Sequence, residues 1–257
     1  MIINNNISAI NTRNQLFVTN SAAGKSMEKL SSGKRINRAA DDAAGLSISE
    51  KMRAQIRGLL QAARNAQDGI SLIQTAEGAL DEVSNMLVRL KELAVQKANG
   101  TYNDEDKANL ALEMDSLTKE IQNIFTNTKF NGSSVLTTSV TIIISDDGTT
   151  ALTIEATSTD GIISLTSGSS VSNIETAIEN VNKARATYGA LQNRLESTVR
   201  NLKTTAENLQ AAESRIRDTD MAEEMSNFTK YNILIQAGTA MLAQANQAPQ
   251  SVLSLLR

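Results

Sequence analysis

The fold is decided by residues 209–257, LQAAESRIRDTDMAEEMSNFTKYNILIQAGTAMLAQANQAPQSVLSLLR. Apolar and small residues recur there at steps of three or four, the pattern of a helix that packs along another helix. This first stripe consists of Leu234, Ala237, Met241, Ala245, Ala248, Val252 and Leu255. A second stripe, on another side of the same helix, consists of Met225, Phe228, Ile235 and Leu242. One partner helix within the chain could not cover both stripes, so the sequence predicts that this helix takes part in self-assembly.

The other end of the chain has the same character. Residues 4–32 show helical periodicity and are also apolar on two sides. One stripe consists of Ile3, Ile7, Ile10 and Phe17, and the other of Leu16, Ala23, Met27 and Leu30. The run Ser31-Ser32-Gly33 is a plausible helix stop. The terminal segments 1–33 and 220–257 are therefore predicted to pair as a helical coiled coil.

Composition excludes most catalytic chemistry. The chain has 257 residues, no cysteine and no histidine, so it lacks disulfides, thiolates and the commonest general base and zinc ligand. Aromatic residues make up only 3%, which favours long helical packing over a compact enzyme core. The net charge of −3 gives no broad electrostatic attraction for nucleic acid. No apolar run is long enough to span a membrane, and we expect no cleavable signal peptide, no cofactor and no metal.

Two clusters of mixed charge mark connectors at matched positions. The first, in segment 34–46, contains Arg35, Arg38, Asp41 and Asp42, and the second, in segment 215–220, contains Arg215, Arg217, Asp218 and Asp220. Each lies roughly 35 to 42 residues from its own end of the chain. Salt bridges on a solvated turn would also account for the charges. The similar distance of the two clusters from their chain ends instead predicts that the two ends run side by side, with both connectors at the same level.

The middle of the chain reads as a helical rod. Residues 46–99 keep one helical rhythm, which predicts a helix of roughly 80 Å. Its three glycines, Gly58, Gly69 and Gly78, are interpreted as sites of close helix approach. A third helix is predicted from Asn103 or Asp104 to about Thr128, and a fourth over 173–216. The rod domain is thus assigned to 47–136 and 173–214.

Residues 137–172 change character. Val140, Ile142 and Ile144 alternate with polar residues, a turn follows at Asp146-Asp147-Gly148, and alternation resumes before a second turn and a third short run at 163–165. This predicts a small β-meander that needs support from the helices. The predicted fold class is mainly α: an elongated antiparallel helical bundle or coiled coil with a small β-meander tip and paired terminal helices.

Several long strings in this order resemble bacterial flagellin. They are INRAADDAAGLSISEKMRAQIRGL (36–59), NAQDGISLIQTAEGALDEV (65–83), KELAVQKANG (91–100), FNGSSVL (130–136) and, most closely, AESRIRDTDMAEEMSNFTKYNILIQAGTAMLAQANQAPQSVLSLLR (212–257). The resemblance covers nearly all of 1–136 and 173–257. Residues 137–172 lie where flagellins carry outer domains of variable size, here reduced to a minimum.

The resemblance implies a structural subunit of the flagellar filament. Such subunits are secreted unfolded through a type III export channel and assemble under a cap into a helical tube that serves as a propeller. The terminal helices would line the filament core and order on assembly. The implied partners are further copies of the chain, an export chaperone for the C-terminal helix, the filament cap and hook-associated junction proteins.

An immune surface is implied as well. The surface that an animal toll-like receptor recognises on some flagellins corresponds to Arg89, Leu93 and Glu113 here. The pattern departs where Val88 replaces a glutamine and Lys91 an arginine. The alternative is that Leu93 belongs to the bundle core and the other two are ordinary surface charges.

Two other classes of protein are alternatives to a filament subunit. A hook–filament junction protein shares flagellin-like ends, but the match through both rods favours the filament. A zinc-protease activity of the H-E-x-x-H kind, carried by some flagellins, is excluded because the chain has no histidine. The carboxylate pairs Asp41-Asp42 and Asp146-Asp147 are interpreted as connector and turn residues rather than cation ligands, so no catalytic role is expected.

Overall fold

The computed structural model describes residues 6–157 and 161–255, with side chains up to 247. The described chain has five helices and two small antiparallel sheets. The elements are α1 (Ile7–Ser32), α2 (Ala43–Ala98), α3 (Asp104–Asn127), β1 (Lys129–Phe130), β2 (Ser133–Ser134), β3 (Val140–Ile143), β4 (Ala151–Ile154), α4 (Val171–Arg217) and α5 (Met221–Leu255). They divide between two compact units. We call Gln55–Asn208 the bundle, and Met1–Ala54 with Leu209–Arg257 the terminal unit.

The bundle is held by one apolar core between the helices. The predicted stripe of α2 faces inward: Ile73, Leu80, Val83, Leu87 and Leu90 are fully buried. They pack with residues of α3 and α4, among them Met114, Ile121, Ile174, Val181 and Leu195. Ion pairs such as Lys91–Glu175 (2.8 Å) and Asp81–Arg185 (2.9 Å) show that α2 and α4 run antiparallel.

The start of α3 follows a simple capping rule. The Asn103 side chain accepts a hydrogen bond from the Asp106 backbone N–H at 2.7 Å, and acidic residues occupy the first turn. This arrangement satisfies a free N–H and places negative charge at the positive end of the helix dipole. The predicted boundary at Asn103 is therefore confirmed.

Two hairpins follow α3. Asn131 and Gly132 both have positive φ, 50° and 82°, and form the two-residue loop between β1 and β2. In the second hairpin β3 pairs antiparallel with β4, with Ile142 opposite Leu152. Ile142 and Leu152 are buried, as the alternation predicted.

The β region differs from the predicted meander in two respects. Residues 161–164 form a turn instead of a third strand: Ile162 and Leu165 are buried while Ile163 lies between them, a spacing of three rather than two. The second hairpin lies along α2 and does not project as a tip, since the Asn65 side chain donates to the Ile143 carbonyl at 3.2 Å. Gly58 lies against Asp146 of this hairpin rather than against a helix, whereas Gly69 lies against Ile142 of β3 and also, as predicted, against a helix residue, Leu195 of α4.

In the terminal unit α1 and α5 form an antiparallel pair, which we call the terminal pair. Lys29 lies beside Glu224, with Nζ and Oε2 3.8 Å apart, and the Asn6 side chain donates to the Ala245 carbonyl at 2.7 Å. α1 ends where Gly33 adopts the left-handed conformation, with φ 68°, and donates its N–H to the Lys29 carbonyl. The predicted stop at Gly33 is confirmed.

Candidate self-assembly surface

The two faces of α1 differ in an unusual way. The side chains that α1 buries are small or polar, namely Thr19, Ala23 and Ser26, while Leu16 lies half-buried against Gly238 of α5. The opposite face carries the bulky apolar side chains that the sequence singled out: Phe17 is 76% exposed, Ile7 59% and Ile10 44%. Water-soluble helices normally bury their bulky apolar stripe. In α1 that stripe is left uncovered.

α5 has one covered and one uncovered apolar face. Phe228, Ile235 and Leu242, from the second predicted stripe, are half-buried in the terminal unit. Leu234 and Met241, from the first stripe, are 45% and 57% exposed. Other exposed apolar residues are Met221, Met225 and Ile233. Of the predicted assembly residues, Ile3 and the side chains of Val252 and Leu255 lie outside the described part of the chain.

A groove runs along the terminal pair where α1 and α5 approach closely. It has a volume of about 470 Å³ and is lined chiefly by Leu16, Thr19, Leu234, Ala237 and Met241. The groove is open and apolar along most of its lining. It adds to the uncovered face of α5 a concave surface that large side chains can enter.

The two connectors lie side by side, as their matched positions predicted. Lys34 pairs with Asp218 in an antiparallel bridge. The Arg35 N–H donates to the Arg217 carbonyl at 2.7 Å, and the Thr219 N–H donates to the Gly33 carbonyl at 3.1 Å. These backbone bonds fix the register at which the terminal pair begins.

Each charged connector residue has a local role. Asp41 accepts hydrogen bonds from the backbone N–H groups of Arg38 and Asn37, which hold the pKa of its carboxyl below the ordinary value. Arg38 forms an exposed ion pair with Glu28, with Nε and Oε1 3.0 Å apart. The Asp220 carboxylate caps α5 by accepting from the N–H of Ala222 at 2.9 Å. Arg215 lies exposed in the last turn of α4.

The predicted end of the first connector is wrong. α2 begins at Ala43, whereas the sequence assigned residues up to 46 to the connector. The reason is a capping bond, because the Asp42 carboxylate accepts from the Gly45 N–H at 2.8 Å. Residues 43–46 are therefore the first turn of the helix.

Sequence reasoning missed two residues of the connector region. Ile36 is 1% exposed and anchors the first connector, although it is the one large apolar residue in a charged segment. Glu50, in the second turn of α2, forms an ion pair with Arg217, a residue only 9% exposed. The hydrogen bond from Arg217 lowers the pKa of Glu50 below its ordinary value of 4.5. An isolated apolar residue among charges was a usable signal for Ile36, but Glu50 resembles any other helix surface charge.

The residues predicted for an immune surface do not all lie at the surface. Arg89 and Glu113 are exposed and paired, with the Arg89 guanidinium donating to Glu113 at 3.0 Å and to Glu92 at 3.1 Å. Leu93 is 1% exposed and belongs to the bundle core. The structure thus brings Arg89 and Glu113 together and places Leu93 beneath the surface.

The described residues offer no group of three side chains that could hold a metal ion. Asp146 and Asp147 occupy the turn between β3 and β4, as predicted. Hydrogen bonds from Ser145 and Thr149 lower the pKa of Asp147 to about 2. No helix in the part of the chain described above is long and apolar enough to cross a membrane.

Comparison with known proteins relates both halves of this architecture to one family. The sequence model of the bacterial flagellin N-terminal helical region matches residues 3–141, and that of the C-terminal helical region matches 171–256. The chain is 51% identical to a flagellin of Halalkalibacterium halodurans and 47% identical to a flagellin of Bacillus subtilis. It is 46% identical to the flagellar filament 31.3 kDa core protein of Treponema maltophilum. Each alignment covers 100% of both chains. The chain belongs to the bacterial flagellin family.

Proposed function

We propose that this flagellin builds the flagellar filament by packing the uncovered faces of α1 and α5 against neighbouring copies of the chain. The observation that carries the proposal is the outward placement of the bulky side chains, above all Phe17, which is 76% exposed. Burial of apolar surface is favourable by roughly 25 cal/mol per Å². A helix pair that leaves large apolar residues such as Phe17, Ile7 and Met241 exposed gains the energy of burying them only from partners.

The inner contacts of the terminal pair are weak by comparison. Thr19, Ala23 and Ser26 are the residues that α1 buries, the larger Phe228, Ile235 and Leu242 of α5 are only half-buried, and a groove of about 470 Å³ stays open between the helices. Ordering a helix costs conformational entropy that a sparse contact offsets poorly. Assembly would supply the missing contacts, so polymerisation and the ordering of the chain ends are expected to be coupled.

The filament is favoured over the hook–filament junction for this chain. The relatives named above are flagellins or a flagellar filament core protein, and each is matched over its whole length. The uncovered faces of both terminal helices suit a subunit surrounded by identical copies. The proposed role is structural and uses no catalytic group, cofactor or metal.

The same uncovered faces would also contact further partners before and during assembly. An apolar helix surface exposed before assembly promotes aggregation. An export chaperone that covers α5 would prevent this until the chain leaves the cell through the type III channel and becomes extracellular. The filament cap and the hook-associated junction proteins would meet these helices at the two ends of the growing polymer.

Recognition by an animal toll-like receptor stays a secondary proposal. Its support is the exposed Arg89–Glu113 pair, which offers two charged groups in fixed positions on the bundle. Leu93 would act from below by holding α2 in place rather than by touching the receptor, because it is buried.

Seeded polymerisation of two matched variants tests the filament proposal. Phe17→Asn changes the uncovered face of α1, and Ile143→Asn makes the same kind of change at a 45% exposed residue of β3. We expect Phe17→Asn to slow filament growth strongly, as seen by electron microscopy and light scattering, while the helix content of the monomer is kept. Ile143→Asn should grow near the normal rate. Equal growth of both variants would contradict the proposal.

A further inference from the structure

Methionine is concentrated on the uncovered faces of the terminal pair. The chain has eight methionines, and seven of them lie in the described residues. Four of these seven belong to α1 and α5 and are strongly exposed: Met27 57%, Met221 48%, Met225 50% and Met241 57%. In the bundle, Met114 is 1% exposed and Met86 is half-buried. Thioethers thus form part of the surface that the proposed filament contacts would cover.

The antiparallel register gathers three of the four at one end of the pair. Lys29 lies beside Glu224, so Met27 of α1 lies about level with Met225 of α5. Met221 is one helical turn away, close to the connectors. Met241 lines the open groove farther along, together with Leu16 and Leu234. An oxidant dissolved in water can reach all four side chains in the unassembled chain.

We propose that Met27, Met221, Met225 and Met241 are oxidation sites. Peroxide-type oxidants that reach them in free subunits block assembly, whereas subunits already in the filament are protected from this oxidation. The inference rests on the proposed function. In each event a thioether lone pair attacks one peroxide oxygen and the O–O bond breaks. The sulfur becomes a sulfoxide by losing two electrons, and the departing hydroxide takes up the remaining peroxide proton to form water. The peroxide is thereby reduced and the methionine oxidised.

The consequence follows from the polarity of the product. A sulfoxide is polar and accepts hydrogen bonds, so burying it against an apolar neighbour without a donor is unfavourable. The bundle is less affected because Met114 is enclosed by its core and Met86 is half-buried against that core. Within a filament the four side chains would be covered by neighbouring copies. Oxidation therefore acts on the pool of free subunits, and sulfoxide reductases can reverse it.

The test uses the full-length chain treated with hydrogen peroxide as monomer and, separately, as filament. Peptide mass spectrometry should find sulfoxide at the four sites well before Met114 in the monomer, and far less at the four sites in the filament. Seeded growth of the oxidised monomer should fall on the order of tenfold or more, while circular dichroism of the bundle stays unchanged. Treatment with two methionine sulfoxide reductases, one for each epimer, should restore growth.

The matched control replaces all four residues by leucine, which conserves volume and cannot be oxidised in this way. This variant should polymerise before and after peroxide treatment. A second control, Met86→Leu, should remain as sensitive as the natural chain. Normal growth of monomer oxidised at the four sites would overturn the inference, as would equal peroxide sensitivity of the fourfold variant. Failure of the untreated chain to polymerise at all would instead overturn the proposed function, and this inference with it.

Discussion

The terminal pair and the bundle are both made of long helices, but they place their bulky apolar residues on opposite sides. In the bundle, Leu80, Leu87 and Leu90 of α2 are completely buried. In the terminal pair, Phe17 and Met241 are more than half exposed, and the inner face holds residues such as Ser26 and Thr19. The bundle buries its main apolar stripe by itself, although single residues such as Leu112 and Val95 stay exposed, whereas the terminal pair needs other molecules to cover its stripe. One chain therefore carries a part suited to fold alone and a part suited to polymerise.

Removal of α5 is expected to have the largest effect and separates the two parts most directly. A chain lacking residues 221–257 loses half of the terminal pair but none of the bundle core. It should form no filaments, even with seeds, because one complete uncovered face is missing. Amide hydrogen exchange of α3 should be unchanged. Filaments from the truncated chain, or faster exchange throughout α3, would break the comparison.

The next test exchanges one leucine in each part for alanine. Leu87→Ala empties a fully buried site and should lower the free energy of unfolding by about 2–5 kcal/mol. Leu234→Ala acts on a side chain that is 45% exposed and should change the free energy of unfolding by no more than about 0.5 kcal/mol. Urea denaturation of monomers, followed by circular dichroism, measures both. Filament growth should rank the two variants in the opposite order. When only folded chains are compared, Leu234→Ala should grow filaments more slowly than Leu87→Ala.

This contrast also marks how far the sequence could predict the fold. The periodic stripes predicted all five helices, and for α2 the inner face as well, because one apolar stripe there is much longer and more continuous than the scattered exposed residues such as Leu60 and Val88. In α5 two stripes compete, and periodicity alone could not tell that Ile235 faces α1 while Leu234 stays uncovered. The answer depends on where the two helices can approach each other closely, as Leu16 of α1 and Gly238 of α5 do. That is a property of two helices together.

The errors in the prediction have local physical causes. Ile163 and Leu165 alternate in sequence, but in the structure Ile162 and Leu165 are the buried residues and 161–164 form a turn, so the expected third strand is absent from the described residues. α2 begins earlier than predicted because Asp42 caps it, a role that the mixed charge of the connector hides in the sequence. The pairing of Glu50 with Arg217 joins residues far apart in sequence, and helical charge patterns carry no signal for such a contact.

The ion pair between Glu50 of α2 and Arg217 at the second connector offers a sharper test, because the two side chains differ in burial. The side chain of Arg217 is 11% exposed and that of Glu50 is 54% exposed. Glu50→Gln leaves a buried guanidinium without its charged partner, which is unfavourable. Arg217→Met leaves a carboxylate that water can solvate and keeps most of the apolar stem. We expect Glu50→Gln to expose the Arg35 amide to hydrogen exchange more than Arg217→Met does, measured by NMR.

Acid should weaken the same connector in a defined direction. The pKa of Glu50 in the folded chain is lowered from 4.5 by the hydrogen bond from Arg217. The stabilisation is therefore complete above about pH 4.5 and is lost as the pH falls through the lower folded value. Protection of the Arg35 amide should decline over that window in the natural chain. In Glu50→Gln this component should be missing, leaving the change expected from Asp41, whose pKa is also lowered. A decline of the same size in both chains would assign the effect to other carboxyls.

The smallest expected effects come from two helix caps of the same residue type. Asn103 caps α3 in the bundle, and Asn6 caps α1 in the terminal pair by accepting from the Ala9 N–H at 3.1 Å. Asn103→Ala should cost about 1 kcal/mol, seen as faster hydrogen exchange across α3. Asn6→Ala should leave α3 exchange unchanged, because the bundle core contains no residue of α1. Its effect should appear instead as faster exchange at the start of α1 and a longer lag before filaments grow. If Asn6→Ala loosened α3 as much as Asn103→Ala does, the bundle would depend on the terminal pair, and a division between a self-sufficient part and an assembling part would no longer describe this chain.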